Sequence, residues 1–225
     1  MTNAVVRAIA VTTHGRYLVM APAETPAGLI VGFHGYAENA EIHLEALRAI
    51  PGIDRFVVVA VQALHPFYTR EQRIVASWMT RQDRDFAIAD NLAYVRQVLE
   101  IVRREYSVDS PLAFVGFSQG GAMAYRAAAR IGADGLIILA ADLPPDVAAD
   151  PGLKLPKMLL GRGTTDPWYT ADKYDADRAA LARAGIVVES SVFEGGHEWG
   201  EQFREALSRY LERLAGGDVP PSQLH

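Results

Sequence analysis

The sequence predicts an α/β fold built on a mostly parallel sheet, and three observations carry that reading. Short apolar, Val-rich runs recur along the chain, segments with helical periodicity separate them, and Gly or Pro marks most of the junctions. Runs that are apolar at every position suit strands covered on both faces, and strand–helix alternation is the signature of parallel crossovers.

Taken in order, residues 5–11, a His14-Gly15 turn and residues 17–20 read as a hairpin that supplies an antiparallel edge. A loop with Pro22 and Pro26 leads to a short buried strand at 29–33, which runs straight into His34-Gly35-Tyr36. Asn39 caps a helix whose Ile42, Ala46, Leu47 and Ile50 share a face, and Pro51-Gly52 stops it. Residues 56–61 form the next strand. Residues 62–82 show no clear period and read as a long loop, a kind of segment that is usually functional. Asp83 caps a helix marked by Ile88, Leu92, Val95, Leu99 and Val102. A strand at 112–117 and an alanine-rich helix at 119–130 follow, then strands at 135–141 and 157–161 joined by a Pro-rich link. A helix at 171–184, a last strand at 187–193 and a helix burying Phe203, Leu207, Tyr210 and Leu214 complete the chain. Helices are expected on both faces of the sheet, and the 141–157 link is too short for a large cap domain.

With 225 residues, half of them hydrophobic, the chain suits one α/β domain over 1–217 with a flexible tail at 218–225. A net charge of −5 and the lack of a basic run argue against nucleic acid as a partner. There is no cysteine, which excludes disulfides, thiolate metal sites and a cysteine nucleophile. Arg7 interrupts the apolar N-terminal stretch, so no signal peptide is expected, and no run approaches the ~20 apolar residues of a membrane span. The expectation is a cytoplasmic enzyme or binding domain, and an exposed apolar edge would support a homodimer.

Chemistry enters at Gly116-Phe117-Ser118-Gln119-Gly120, a G-x-S-x-G pattern. In α/β-hydrolases this pattern puts the serine on a strained strand-to-helix turn that only small residues two before and two after allow. Here a strand precedes it, and Gly121, Ala122 and Ala124 keep the following helix slim. A serine that merely caps a helix is the competing reading. Serine needs a base, and on this fold the partners follow in the order serine, acid, histidine. His197, behind Gly195-Gly196 after the last strand, is the only histidine downstream of Ser118 besides His225. The acid has two candidates, Asp142 and Asp166. Asp166 is favoured because it follows the second strand after the nucleophile, in an exposed turn with Pro167. Backbone N–H groups of Gln119 and Tyr36 are expected to form the oxyanion hole, with Gly35 permitting close approach and His34 bracing the loop.

These residues resemble the phospholipase/carboxylesterase family of α/β-hydrolases, which contains small carboxylesterases and acyl-protein thioesterases. The resemblance rests on Phe33-His34-Gly35-Tyr36, on the Ser118-Gln119-Gly120-Gly121 run, on the 161–166 turn and on Gly196-His197-Glu198, and it spans about 28–214. It implies hydrolysis of carboxylic esters or thioesters without metal or cofactor. Tyr36 stands where the family more usually has a small or leucine-type residue, and Trp168-Tyr169 follow the acid.

Tyr36, Phe67, Trp78, Phe117, Leu143, Trp168 and Tyr169 fall in loops expected at the C-terminal edge of the sheet, where open α/β folds bind ligands. They predict an apolar pocket for small to medium acyl groups. A catalytically silent binding module and an amidase or peptidase on the same three residues are the alternatives. Metal chemistry is not expected, since His34, His43 and His65 lack ligand spacing and no H-E-x-x-H occurs. Gly161-Arg162-Gly163 lacks the third glycine of a dinucleotide loop, and no Walker motif exists.

Overall fold

Seven strands form one sheet in the computed structural model, which describes residues 4–216; the tail expected at 218–225 lies outside them. In chain order the strands are β1 (Tyr17–Met20), β2 (Leu29–Phe33), β3 (Val57–Val61), β6 (Leu112–Phe117), β7 (Gly135–Leu139), β8 (Met158–Gly163) and β9 (Val188–Phe193). They lie in the order β1-β3-β2-β6-β7-β8-β9, all parallel except β1, which runs antiparallel to β3 with Tyr17 opposite Val61. A separate two-stranded hairpin, β4 (His65–Tyr68) and β5 (Ile74–Ser77), stands beside it.

Alternation along each strand divides the core in two. Leu29, Val31, Phe33, Val57, Val59, Val61, Leu112 and Phe114 face α2 (Arg84–Tyr106), α3 (Gln119–Ile131) and α5 (Ala171–Arg183). Ile30, Val58, Ala60, Ala113 and Val115 face α1 (Ala40–Arg48) and α6 (Glu201–Leu214), which contribute Leu44, Leu47, Phe203 and Leu207. Burial on both faces explains why these strands read as unbroken apolar runs. The link between β7 and β8 carries only the short α4 (Pro145–Ala148), so no cap domain covers the sheet edge. No helix among the described residues is long and apolar enough to cross a membrane.

Two expectations are corrected. The antiparallel edge exists, but β1 makes it alone; residues 5–11 form no strand, and Val6, Ile9 and Val11 are exposed. The Tyr94 hydroxyl on α2 donates to the Arg16 carbonyl at 2.5 Å, and residues 7–10 lie along Phe86, Ala87 and Asp90 of α2. The segment before β1 thus shares a hollow with α2 and pairs with no strand. The 62–82 segment is likewise no plain loop, since it holds β4 and β5, and Ala76 pairs with Glu38 in an isolated bridge.

Parallel strands put their C-terminal ends on one edge. The chain leaves β2 toward β3 on one side and later returns to place β6 on the other, so the topology switches between β2 and β6. That crevice is where an open α/β sheet binds ligands.

Candidate active site

Three non-glycine residues with positive φ follow strands at this edge: Ala37 after β2, Ser118 after β6 and Ala140 after β7, with φ of 59°, 52° and 55°. Such conformations cost about 1–3 kcal/mol each and cluster at functional sites. Ser118 (ψ −123°) sits between the last residue of β6 and the first of α3, held by its N–H donating to Leu139 O at 3.0 Å. The turn depends on Gly120, where an added Cβ would stand 2.0 Å from the Phe33 carbonyl oxygen and 2.4 Å from that of His34. Backbone thus lies against backbone where β2 and β6 diverge.

Asp166 occupies the turn after β8. Its Oδ1 accepts the N–H groups of Trp168 and Tyr169 at 2.8 and 2.9 Å, while Oδ2 receives His197 Nδ1 at 2.8 Å. With the carboxylate fully buried, these three donors take the place of water. The turn and the histidine loop meet because Gly163 has no side chain: a Cβ there would lie 2.2 Å from Gly196 O. Thr165 adds bonds from its N–H and hydroxyl to Gly195 O at 2.9 and 2.8 Å. Asp142, the other candidate acid, is half-exposed and paired instead with Lys173 at 3.2 Å.

The His197–Asp166 bond fixes the tautomer. Nδ1–H donates to the carboxylate, which leaves the Nε2 lone pair free to accept a proton. Phe117 packs against the imidazole with centroids 5.0 Å apart, and the Trp168 ring stands edge-on to it at 4.7 Å. His197 and Ser118 line the same cleft of about 530 Å³, walled by Gln119, Ala122, Ala140, Leu143, Pro144, Trp168 and Tyr169. Among the described residues Ser118 Oγ makes no hydrogen bond.

Facing Ser118, the loop after β2 is fixed from several sides. Gly35 N–H donates to Glu38 Oε2 at 2.7 Å, and Ala37 N–H to Ala76 O at 3.2 Å. Burial pushes the Glu38 carboxyl up, opposed by the Gly35 N–H and the nearby His197. The N–H groups of Tyr36 and Gln119 have no acceptor among the described residues, and Gln119 opens α3, where the helix dipole favours negative charge. His34 is fully buried: Nε2 accepts from Ala63 N–H at 3.0 Å and Nδ1 contacts Gly35 O at 2.6 Å, so the ring braces the loop. Burial lowers its pKa to about 4.

The expected apolar wall is only partly assembled. Leu143, Trp168 and Tyr169 line the cleft. Trp78 is wholly buried, 5.4 Å from Phe33, with its indole N–H on His34 O at 2.8 Å; it belongs to the core. Phe67 stacks on the exposed Tyr36 ring at 5.6 Å on the hairpin side, and Phe117 lies beneath His197.

Four supporting residues carry no sequence signal of their role. The Gln119 side chain accepts Trp78 N–H at 2.9 Å and donates to Met79 O at 3.1 Å, tying β5 to the serine turn. Asp177 accepts Leu143 N–H at 2.8 Å and the Tyr169 hydroxyl at 3.0 Å, so one carboxyl sets two cleft walls. The buried Arg162 reaches the carbonyls of Tyr169 and Thr164, at both ends of the acid turn. Glu38 is the fourth. Among the described residues no group of three or more His, Asp or Glu side chains could hold a metal ion.

No family model matches the sequence, and no curated protein matches it significantly. Solved structures do share its fold. A carboxylesterase from Mesorhizobium loti is 16% identical with a TM-score of 0.73, covering 88% of this chain and 94% of that one. A Bacillus cereus carboxylesterase is 14% identical (TM-score 0.70; 89% and 94% covered). A phospholipase/carboxylesterase from Dyadobacter fermentans DSM 18053 is 19% identical (TM-score 0.68; 90% and 98% covered). The fold is therefore the α/β-hydrolase fold.

Proposed function

We propose that this chain is a serine hydrolase that cleaves carboxylic esters or thioesters of small to medium acyl groups through an acyl-enzyme. The observation that carries the reading is the Asp166–His197 pair at 2.8 Å in the wall of the cleft that also holds the strained Ser118.

In this mechanism Ser118 Oγ attacks the ester carbonyl carbon while His197 Nε2 takes the hydroxyl proton. Asp166 stabilises the resulting imidazolium and stays ionised. The oxyanion lies against the N–H groups of Tyr36 and Gln119, whose fixed positions spare the reaction the cost of reorganisation. The intermediate collapses as His197 gives its proton to the leaving alcohol or thiol, leaving the acyl group on Ser118. Water, deprotonated by the same nitrogen, then releases the acid. The three acceptor contacts of Asp166 support its assignment over Asp142, whose charge is spent on an exposed lysine.

A cleft of about 530 Å³ with an open mouth and no cap suits short and medium chains. Hydrolysis of p-nitrophenyl esters from acetate to decanoate, with Ser118→Ala in parallel, tests the proposal. Turnover of the shorter esters that the variant loses is expected. Turnover retained by the variant would refute the mechanism, and a strong preference for decanoate would refute the pocket.

A further inference from the structure

Besides its apolar walls, the cleft carries charged side chains whose pairing is uneven. Lys173 is spoken for, since its ammonium donates to Trp168 O at 2.8 Å and pairs with Asp142 at 3.2 Å. Arg84, the first residue of α2, lines the same cleft and makes no hydrogen bond or ion pair among the described residues. Its acidic neighbours face elsewhere. Consecutive helical residues diverge by about 100°, and Asp83 lines a hollow against residues 7–10, while Asp85 lines one shared with Asp146. Asp146, whose carboxyl the Arg84 charge helps to lower, is held by Nε and Nη2 of Arg126 at 2.8 and 2.5 Å. The cleft therefore keeps one guanidinium whose N–H donors are unused among the described residues, in a protein of net charge −5.

Much of the lining that Arg84 and Ser118 share is apolar, with Ala122, Leu143, Pro144 and Pro145 among it. A guanidinium with free donors in a partly apolar cleft that also holds a nucleophile is complementary to a carboxylate on a short methylene chain. We propose that Arg84 is a specificity-determining residue, and that the preferred substrates are esters bearing a carboxylate a few carbons from the scissile carbonyl. This rests on the serine-hydrolase reading for its catalytic part, whereas recognition of the carboxylate by Arg84 stands on the cleft alone.

The test compares mono-p-nitrophenyl adipate with p-nitrophenyl hexanoate, which share chain length and leaving group. The ratio of their kcat/KM values is measured in the native protein, in Arg84→Gln and in Arg84→Lys. A second measurement follows adipate binding to Ser118→Ala, with and without Arg84→Gln, by chemical-shift titration. The native protein is expected to favour the adipate monoester by about tenfold, with Arg84→Gln abolishing the preference and lysine restoring part of it. A native ratio near one, or a ratio that Arg84→Gln leaves intact, overturns the proposal. Arg84-dependent adipate binding without turnover of any ester would sustain carboxylate recognition and refute the hydrolase. Neither binding nor turnover would overturn both.

Discussion

Lowering the pH from 7 to 5 should destabilise the fold through two histidines that the core keeps neutral. His34 and His43 are both fully buried. Burial lowers His34 to about 4; burial, helped by repulsion from His34, lowers His43 to about 3. In the unfolded chain each imidazole titrates near 6.5. Their contribution is thus complete above 6.5, is lost as the unfolded state takes up protons below it, and stops falling once the folded pKa is passed. At pH 5 the deficit is about 1.5 pH units at ~1.4 kcal/mol per unit, or roughly 2 kcal/mol per histidine and about 4 together. His43 isolates half of this. Its ring nitrogens have no hydrogen-bond partner among the described residues, and it packs on Gly32 and Trp199, so His43→Met keeps the volume and removes the titration. Urea unfolding followed by tryptophan fluorescence at pH 7 and 5 gives the loss for both proteins. The native protein should lose about 2 kcal/mol more than His43→Met over that interval. Equal losses would refute a neutral, buried His43.

Exchanging the two candidate acids separates them. Asp166→Asn should lower kcat by about 10³–10⁴-fold with the fold intact, while Asp142→Asn, on an exposed ion pair, should stay within about threefold; steady-state kinetics on one ester reads both. Gly120→Ala drives a methyl into the Phe33 and His34 carbonyls, and should cost about 1–3 kcal/mol in unfolding and about 10²-fold in kcat. Unaltered kinetics in that variant would mean that the β2 loop takes no part in the reaction.

Strands β2, β3, β6 and β7 were legible because burial on both faces requires unbroken apolar runs such as Val57–Val61 and Leu112–Phe117. The β4–β5 hairpin was not. Its first strand is mostly exposed, and its turn puts Gln72, not glycine or asparagine, at φ 61°. Residues 5–11 failed for the opposite reason: their composition is strand-like, but they pair with no strand and Val6, Ile9 and Val11 stay exposed. At the candidate site, residues tied to strand ends could be placed from sequence, because parallel topology gathers those ends on one edge. What escaped were long-range tethers. Trp78 reads as a loop aromatic until the bonds from its indole N–H to His34 O and from its backbone N–H to Gln119 Oε1 fix it in the core. Asp177, on α5, joins Leu143 to Tyr169 across three separate elements, a relation that no local pattern encodes.

Intact-mass analysis after fluorophosphonate treatment tests most directly whether Ser118 is an activated nucleophile. One adduct mapping to Ser118, lost in Ser118→Ala and strongly slowed in His197→Gln, is the predicted result. A folded native protein that takes no adduct, or a Ser118→Ala variant labelled as fast as the native one, would contradict it.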